Sequence, residues 1–252
     1  MSIGAIYLGT GKRRVQPCGS CVFVEHKGFV FIVTAEHVLD EHQHGPLILV
    51  GPGGSAPLTT PFSTLSDRGI DPQFDVVDIG IGFLDANTRE RIGAIEPVSS
   101  DDIANTGDSY DRGFIAVGFP ASKNKQRANG KAVLESHAFF LRAKEFQSTK
   151  RLPGFHPRSH LLLNWSPKDS IKPDGVRSTA PSLRGTSGGP VFDIGNFTSM
   201  ELLAGLSKPR PRLVGVITRW LENESALVVS RLPHAFDEMI DFRRRQIGPE
   251  NG

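Results

Sequence analysis

Two cysteines in 252 residues leave nothing from which to build a disulfide framework. The pair, Cys18 and Cys21, is spaced C-x-x-C. A four-cysteine zinc site would need a second pair, and no histidine pair at zinc-finger spacing replaces it. The flanking residues read as the start of a strand, not as a helix N-terminus in a βαβ unit, so structural thiols are expected in place of a redox dithiol. Long apolar runs are missing too. None reaches about 18 residues, so no membrane-spanning helix is expected. The opening MSIGAIYLGTGKRRVQP lacks the apolar centre of about 7–15 residues that marks a signal peptide. These absences together predict a cytoplasmic protein. Charge of one sign is also scarce: 29 basic and 27 acidic residues leave a net +2, too little to argue for nucleic acid or an anionic membrane. The one dense basic cluster, Arg243-Arg244-Arg245, follows an apolar helical stretch, where cations suit a helix end. Internal repeats and helix-period patterns are likewise rare.

Glycine (27) and proline (18) are plentiful, and they punctuate short β-branched runs. That pattern predicts an all-β fold. Strands are expected at Ala5–Leu8, Cys21–Glu25, Phe29–Thr34, Leu47–Val50 and Ile79–Leu84. A later set is expected at Phe114–Val117, Val133–Leu141, His160–Asn164, Val191–Phe192, Leu213–Thr218 and Ala226–Val229. Turn chemistry lies between them, as at Gly51-Pro52-Gly53-Gly54, Asn129-Gly130 and Lys208–Pro211. The polar, weakly patterned stretch Glu96–Asp111 reads as a linker between two β units or as a long surface loop within one. Leu232, Phe236, Met239, Ile240 and Phe242 recur at helical spacing and predict a closing amphipathic helix.

The segment Arg184-Gly185-Thr186-Ser187-Gly188-Gly189-Pro190-Val191-Phe192 carries the most chemistry. A serine hydroxyl is a weak nucleophile until a positioned base takes its proton, and acyl transfer needs backbone N–H groups aimed at the developing oxyanion. Glycines permit the unusual backbone angles and close approach that both require. Chain order then separates two hosts. In an α/β-hydrolase the serine opens a helix, with acid and histidine following it. Here Gly-Gly-Pro-Val-Phe follows Ser187, and only His234 lies downstream. The opposite order, with base and acid upstream, is available. His37 stands in Phe31-Ile32-Val33-Thr34-Ala35-Glu36-His37-Val38-Leu39, just past an apolar strand, and Asp78 heads Ile79-Gly80-Ile81-Gly82-Phe83-Leu84. Asp75 competes with Asp78 for the acid.

These three segments resemble the Thr-Ala-x-His, Asp-Ile and Gly-x-Ser-Gly-Gly-Pro motifs of the trypsin/chymotrypsin-like serine peptidase superfamily. Val117-Gly118-Phe119-Pro120 and Leu213-Val214-Gly215-Val216-Ile217-Thr218 add two agreeing segments, so the resemblance spans about residues 19–220. It implies two six-stranded antiparallel β-barrels and a C-terminal helix. Residues 1–104 would carry His37 and Asp78, and residues 105–252 would carry Ser187. It also implies a triad in which Ser187 attacks the scissile carbonyl, His37 shuttles the proton and Asp78 orients the imidazole. The oxyanion hole would use the N–H groups of Gly185 and Ser187. No metal or organic cofactor is called for, and the implied partner is a protein or peptide substrate. His26, His42, His44, His137, His156, His160 and His234 are left as surface or loop residues.

The chain also departs from the family. Thr186 stands where zymogen-activated relatives carry an aspartate that pairs with a freed N-terminus, and a first strand begins close to Met1. Regulation is therefore expected from substrate, oligomer or a regulatory protein partner instead of proteolytic activation. Val38 replaces a cysteine common in secreted relatives, Cys21 a small glycine, and Glu36 a small residue beside the base. By position, Pro181 and Ser182 would form the base of the primary substrate pocket, with Thr218, Arg219 and Trp220 at its wall. The uncharged Pro181 favours a small or apolar side chain before the cleaved bond, whereas Arg219 would favour an acidic one. A protease-like barrel that only binds proteins is the alternative to an endopeptidase. A small-ester hydrolase is a third reading, which the chain order disfavours.

Overall fold

The computed structural model describes residues 2–11, 15–64, 77–104, 112–124, 134–144, 155–167, 170–171, 177–196, 210–232 and 236. The first sheet is built from β1 (Ile3–Gly9), β2 (Val15–His26), β3 (Phe29–Thr34), β4 (Leu47–Val50), β5 (Ser55–Pro57), β6 (Phe62–Thr64), β7 (Gly80–Phe83) and β8 (Val98–Ser99). Its order is β5-β4-β1-β2-β3-β7-β6, with β8 alongside β2. It holds eight strands where six were expected, the additions being short pieces such as the two-residue β8. All its pairings are antiparallel except that of β2 with β8. Two helices interrupt it, α1 (Glu36–Asp40) and α2 (Ala86–Ile92). Asp85 caps α2, accepting from the Thr88 N–H at 2.9 Å and from its hydroxyl at 2.7 Å, which satisfies one of the four N–H groups a helix start leaves open.

The second sheet contains β9 (Gly113–Gly118), β10 (His137–Arg142), β11 (His160–Asn164), β14 (Pro190–Gly195), β15 (Arg212–Leu221) and β16 (Ala226–Arg231). A separate two-stranded piece joins β12 (Ser170–Ile171) to β13 (Arg177–Ser178). The six-stranded order is β10-β9-β14-β15-β16-β11. A bridge between Ala143 and Leu163 brings the first and last of these strands together, so the sheet curls round on itself. The architecture is thus two curled antiparallel sheets with little helix: the all-β class that the strand pattern predicts, in the double-barrel form that the resemblance implies. Inward–outward alternation is plain in β10 and β4, whereas β16 is buried along its whole length. A strand covered on both faces has no polar side to display.

Each barrel has its own core. Ile6, Phe23, Ile32, Leu49 and Leu84 fill the first, and Phe114, Leu141, Leu163, Trp165 and Val229 fill the second. A third cluster belongs to both. Val22, Val24, Phe31, Val33, Ile79 and Ile81 of the first unit pack on Leu213, Val216, Leu232 and Phe236 of the second. A fourth sets Ile3, Ala5 and Tyr7 of β1 against Phe119. The two barrels are therefore joined by buried apolar surface, and the candidate site lies along that seam.

Several expectations need adjusting. The polar stretch from Glu96 is strapped down as far as it is described: β8 joins the first sheet, while Ile103 bridges Leu213 and the Ala104 N–H donates to Leu213 O at 2.9 Å. His26 and His160 are not surface residues; they are 6% and 2% exposed. His26 closes β2 and His160 opens β11, and each finds a polar partner inside: His26 Nδ1 meets Ser100 Oγ at 2.9 Å, and His160 Nδ1 accepts from the His156 N–H at 2.9 Å. His42 and His44, by contrast, sit in a 3₁₀ turn, in keeping with the loop expected for them. Cys18 and Cys21 both lie within β2 as free thiols, and burial is the main cause that pushes each up to about 12. Thiols so hard to ionise are poor redox groups. The Asn129-Gly130 turn, Asp75, His234, Arg243-Arg244-Arg245 and the closing helix apart from Leu232 and Phe236 lie outside the described residues.

Candidate active site

His37 enters the site because β3 ends at Thr34 and the chain turns at Ala35 into the short α1. Asp78 comes from the segment leading into β7, which pairs with β3, so strand pairing brings the two together across 41 positions. The carboxylate grips His37 twice. Its Oδ2 lies 2.8 Å from the ring Nδ1 and its Oδ1 accepts from the His37 N–H at 3.0 Å. The Glu36 N–H donates to the Asp78 carbonyl at 3.3 Å. Asp78 sits at φ 43°, in the left-handed region that aspartate and asparagine tolerate better than most side chains. Ring and acid are thereby fixed in orientation, with Nε2 left for chemistry.

The effects on the imidazole oppose one another. Burial lowers its basicity, but the hydrogen bond to Asp78 and the charges of Asp78, Asp40 and Glu41 outweigh it, and the net shift is upward. A neighbouring anion favours the protonated ring, as a base that must accept and hold a proton requires.

The nucleophile segment can be accounted for peptide by peptide. The Arg184 carbonyl accepts from the Ala121 N–H at 2.7 Å. The next peptide is held at both ends: the Gly185 carbonyl accepts from Ser20 Oγ at 2.8 Å, and the Thr186 N–H donates to Leu183 O at 2.9 Å. The Thr186 carbonyl accepts from the Gly189 N–H at 2.9 Å. The Ser187 carbonyl accepts from the Ser20 N–H, and the Gly188 N–H donates to Ile217 O, both at 2.7 Å. Two N–H groups of the run remain, those of Gly185 and Ser187, and neither has an acceptor among the described residues. Because a peptide's N–H and C=O point in opposite directions, anchoring the Arg184 and Thr186 carbonyls aims these two N–H groups away from their anchors.

Two glycines are obligatory here. Gly185 lies at φ 88°, and a Cβ on it would come within 2.9 Å of Phe119 O and Ala121 N. At Gly188, with φ 80°, a Cβ would lie 2.0 Å from Thr34 Oγ1 and 2.2 Å from Ser20 O. The loop is therefore pressed directly onto the strand that leads to His37. The hydrogen bonds among the described residues do not include one from Ser187 Oγ to the imidazole. Such bonds are often long in resting enzymes and tighten with substrate. Thr186 is fully buried and its hydroxyl donates to Leu183 O at 2.6 Å, so the loop interior contains a satisfied neutral group where an aspartate would need a cation.

The expected substrate-binding residues divide. Ser182 is exposed and its Oγ accepts from the Arg184 N–H at 3.3 Å, with Pro181 half-buried beside it. Thr218 turns inward, 3% exposed, with Oγ1 accepting from Ser230 Oγ at 3.2 Å and donating to Val228 O at 3.4 Å. It braces β15 on β16 and does not face solvent. Arg219 is half-buried and Trp220 is 40% exposed. The β14–β15 ladder covers Arg212–Val216 of β15, and Ile217 just beyond it is still held by the Gly188 N–H and the Gly189 carbonyl, at 2.7 and 2.8 Å.

Ser20 and Ala121 were not singled out from the sequence, and Thr34 and Phe119 were named only as members of motif segments. Of these, Ser20 carried a signal: a lone hydroxyl before the apolar run Cys21-Val22-Phe23-Val24 is a buried polar group in need of partners.

The two curled antiparallel sheets make a chymotrypsin-like double-barrel fold. No protein-family model matches the sequence, and no curated protein matches it. Solved structures do. Over 96% of this chain and 94% of the other, it is similar to neuropsin, a serine protease expressed in the limbic system of mouse brain, at 12% identity and TM-score 0.57. A Glu endopeptidase solved in complex with MPD matches over 97% and 91%, at 16% identity and TM-score 0.52. Human heparin binding protein matches over 100% and 93%, at 13% identity and TM-score 0.54. Identities this low establish the fold alone.

Proposed function

We propose that the chain is a serine endopeptidase acting through His37, Asp78 and Ser187. Ser187 Oγ attacks a peptide carbonyl while His37 Nε2 takes its proton. The Gly185 and Ser187 N–H groups receive the oxyanion, and the protonated His37 then hands its proton to the leaving amine. Water repeats the sequence on the acyl-enzyme. The observation that carries this reading is the peptide-by-peptide pattern from Arg184 to Gly188. The carbonyls of Arg184, Gly185, Thr186 and Ser187 are all engaged, and the two N–H groups left over are the pair that acyl transfer needs. Proteins and peptides are the favoured substrates, because an extended chain would pair as an added strand with β15 past the end of its β14 ladder. No cofactor enters the scheme.

The second reading, a barrel that binds proteins without cutting them, is favoured by the missing Ser187–His37 hydrogen bond. A fluorophosphonate probe separates the two. The enzyme is expected to be labelled at Ser187, with labelling abolished in Ser187→Ala and reduced about 10³-fold or more in His37→Ala. A folded wild-type protein that takes no label supports the binding module instead.

A further inference from the structure

We infer that Ser20, a residue of the first barrel, is a positioning residue for the oxyanion loop of the second. The inference rests on the proposed function for its catalytic meaning and on hydrogen bonds for its geometry. Ser20 is fully buried, and each of its polar groups is engaged. Its hydroxyl donates to the Gly185 carbonyl at 2.8 Å and accepts from the Phe119 N–H at 2.9 Å. Its N–H donates to the Ser187 carbonyl at 2.7 Å, and its carbonyl accepts from Thr34 Oγ1 at 2.7 Å. One hydroxyl proton and one acceptor contact on the same oxygen leave a single satisfied orientation.

The consequence falls on Gly185. This glycine has the freedom to rotate both flanking peptides, and rotation of the Arg184–Gly185 peptide would turn its N–H out of the site. The structure braces it from both sides. Ala121 N–H holds the preceding carbonyl, and Ser20 Oγ holds the following one. The Ala121 brace is itself secured, because it belongs to the turn Pro120–Asn124. Asn124 is 2% exposed and ties that turn to Pro120 O and Glu135 O, each at 2.9 Å, while Tyr7 OH of β1 donates to Asn124 O at 3.1 Å. Both braces thus lead back to the first barrel. Neutral hydrogen bonds hold the loop around the uncharged Thr186, and docking of the barrels is what organises the oxyanion donors.

Ser20→Ala tests the assignment, with Ser20→Cys as a second variant that keeps the volume and offers a weaker donor. Two readouts are needed. In the first, the fluorophosphonate acylation rate and kcat should both fall about tenfold or more, short of the 10²–10³ for outright loss of an oxyanion donor. KM and the midpoint of the acid limb of the pH profile should hold, because His37 and the peptide-binding strand are untouched. In the second, amide hydrogen exchange over Leu183–Gly189 should quicken while β11 and β16 keep their protection. Acylation and loop exchange within twofold of wild type in both folded variants would overturn the inference. If the wild-type protein takes no label, the proposed function fails, and loop exchange alone then decides the role of Ser20.

Discussion

Desolvation pushes the His37 imidazole toward its neutral form, and the anions around it push harder the other way. Asp78 holds the ring directly, while Asp40 and Glu41 act through space from α1 and the turn after it. A general base works in its neutral form, so a raised pKa moves the acid limb of kcat/KM to a pH above the ordinary histidine range. If the proposed activity holds, Asp40→Asn combined with Glu41→Gln should shift that midpoint downward, measured on a cleaved peptide, while kcat at high pH stays close to wild type. A midpoint unmoved by the double change would mean that Asp78 alone sets it. The linkage to folding has the matching sign. The protonated ring is favoured in the folded state, so its stabilisation is present at low pH and fades as pH rises through the raised pKa. The three candidate residues were picked out by their neighbours in the sequence, but the double grip of Asp78 on His37 has no local signal. Its left-handed backbone and the contact with the His37 N–H arise from a pairing of β3 with β7 that no local pattern specifies.

At the scale of an element, β11 was read from the sequence with the bounds it has, yet its first residue was misjudged. His160 heads the strand, and hydropathy alone could not say that it faces inward. Burial first, then the positive charge of Arg219, pushes its pKa down to about 4, against weaker opposing effects of the His156 N–H and Asp78. The folded protein therefore keeps the ring neutral where an unfolded chain would protonate it. Stability is full above the ordinary histidine pKa and drains away as pH falls toward about 4, a loss on the order of 3 kcal/mol. His160→Asn can present an acceptor to the His156 N–H but cannot titrate. It should flatten the fall in unfolding free energy between neutral and mildly acid pH, followed by urea titration at each pH. An equally steep fall in the variant would assign the acid sensitivity to other groups. Strand interiors were easier to read than strand ends. β2 begins at Val15, well before the apolar run starting at Cys21, because pairing with β1 around a bulge at Ile6 and Tyr7 recruits polar residues that have no strand signal of their own.

For the whole molecule, the decisive feature is the apolar cluster shared between the barrels. Phe31 is 1% exposed on β3 and belongs to the same cluster as Leu213 and Val216 of β15. Phe31→Ala should cost about 3–5 kcal/mol. The chain's two tryptophans, Trp165 and Trp220, both belong to the second unit, so their fluorescence reports a barrel that does not contain the substitution. If the shared core couples the units, the fluorescence transition in urea should shift to lower denaturant together with far-UV circular dichroism. A fluorescence transition left in place would show that the barrels unfold independently.

Composition and local pattern by themselves determined the all-β class, most strand interiors and the separate motifs around His37, Asp78 and Ser187, because each depends on residues within a few positions of one another. Only the tertiary structure decided which polar groups are buried and what satisfies them. Ser20 reaches Gly185 across 165 positions and Phe119 across 99, and no periodicity encodes a contact at that separation. A hydrogen bond between distant residues exists only once two sheets have curled and docked, and the free energy that holds it comes largely from the apolar seam beside it.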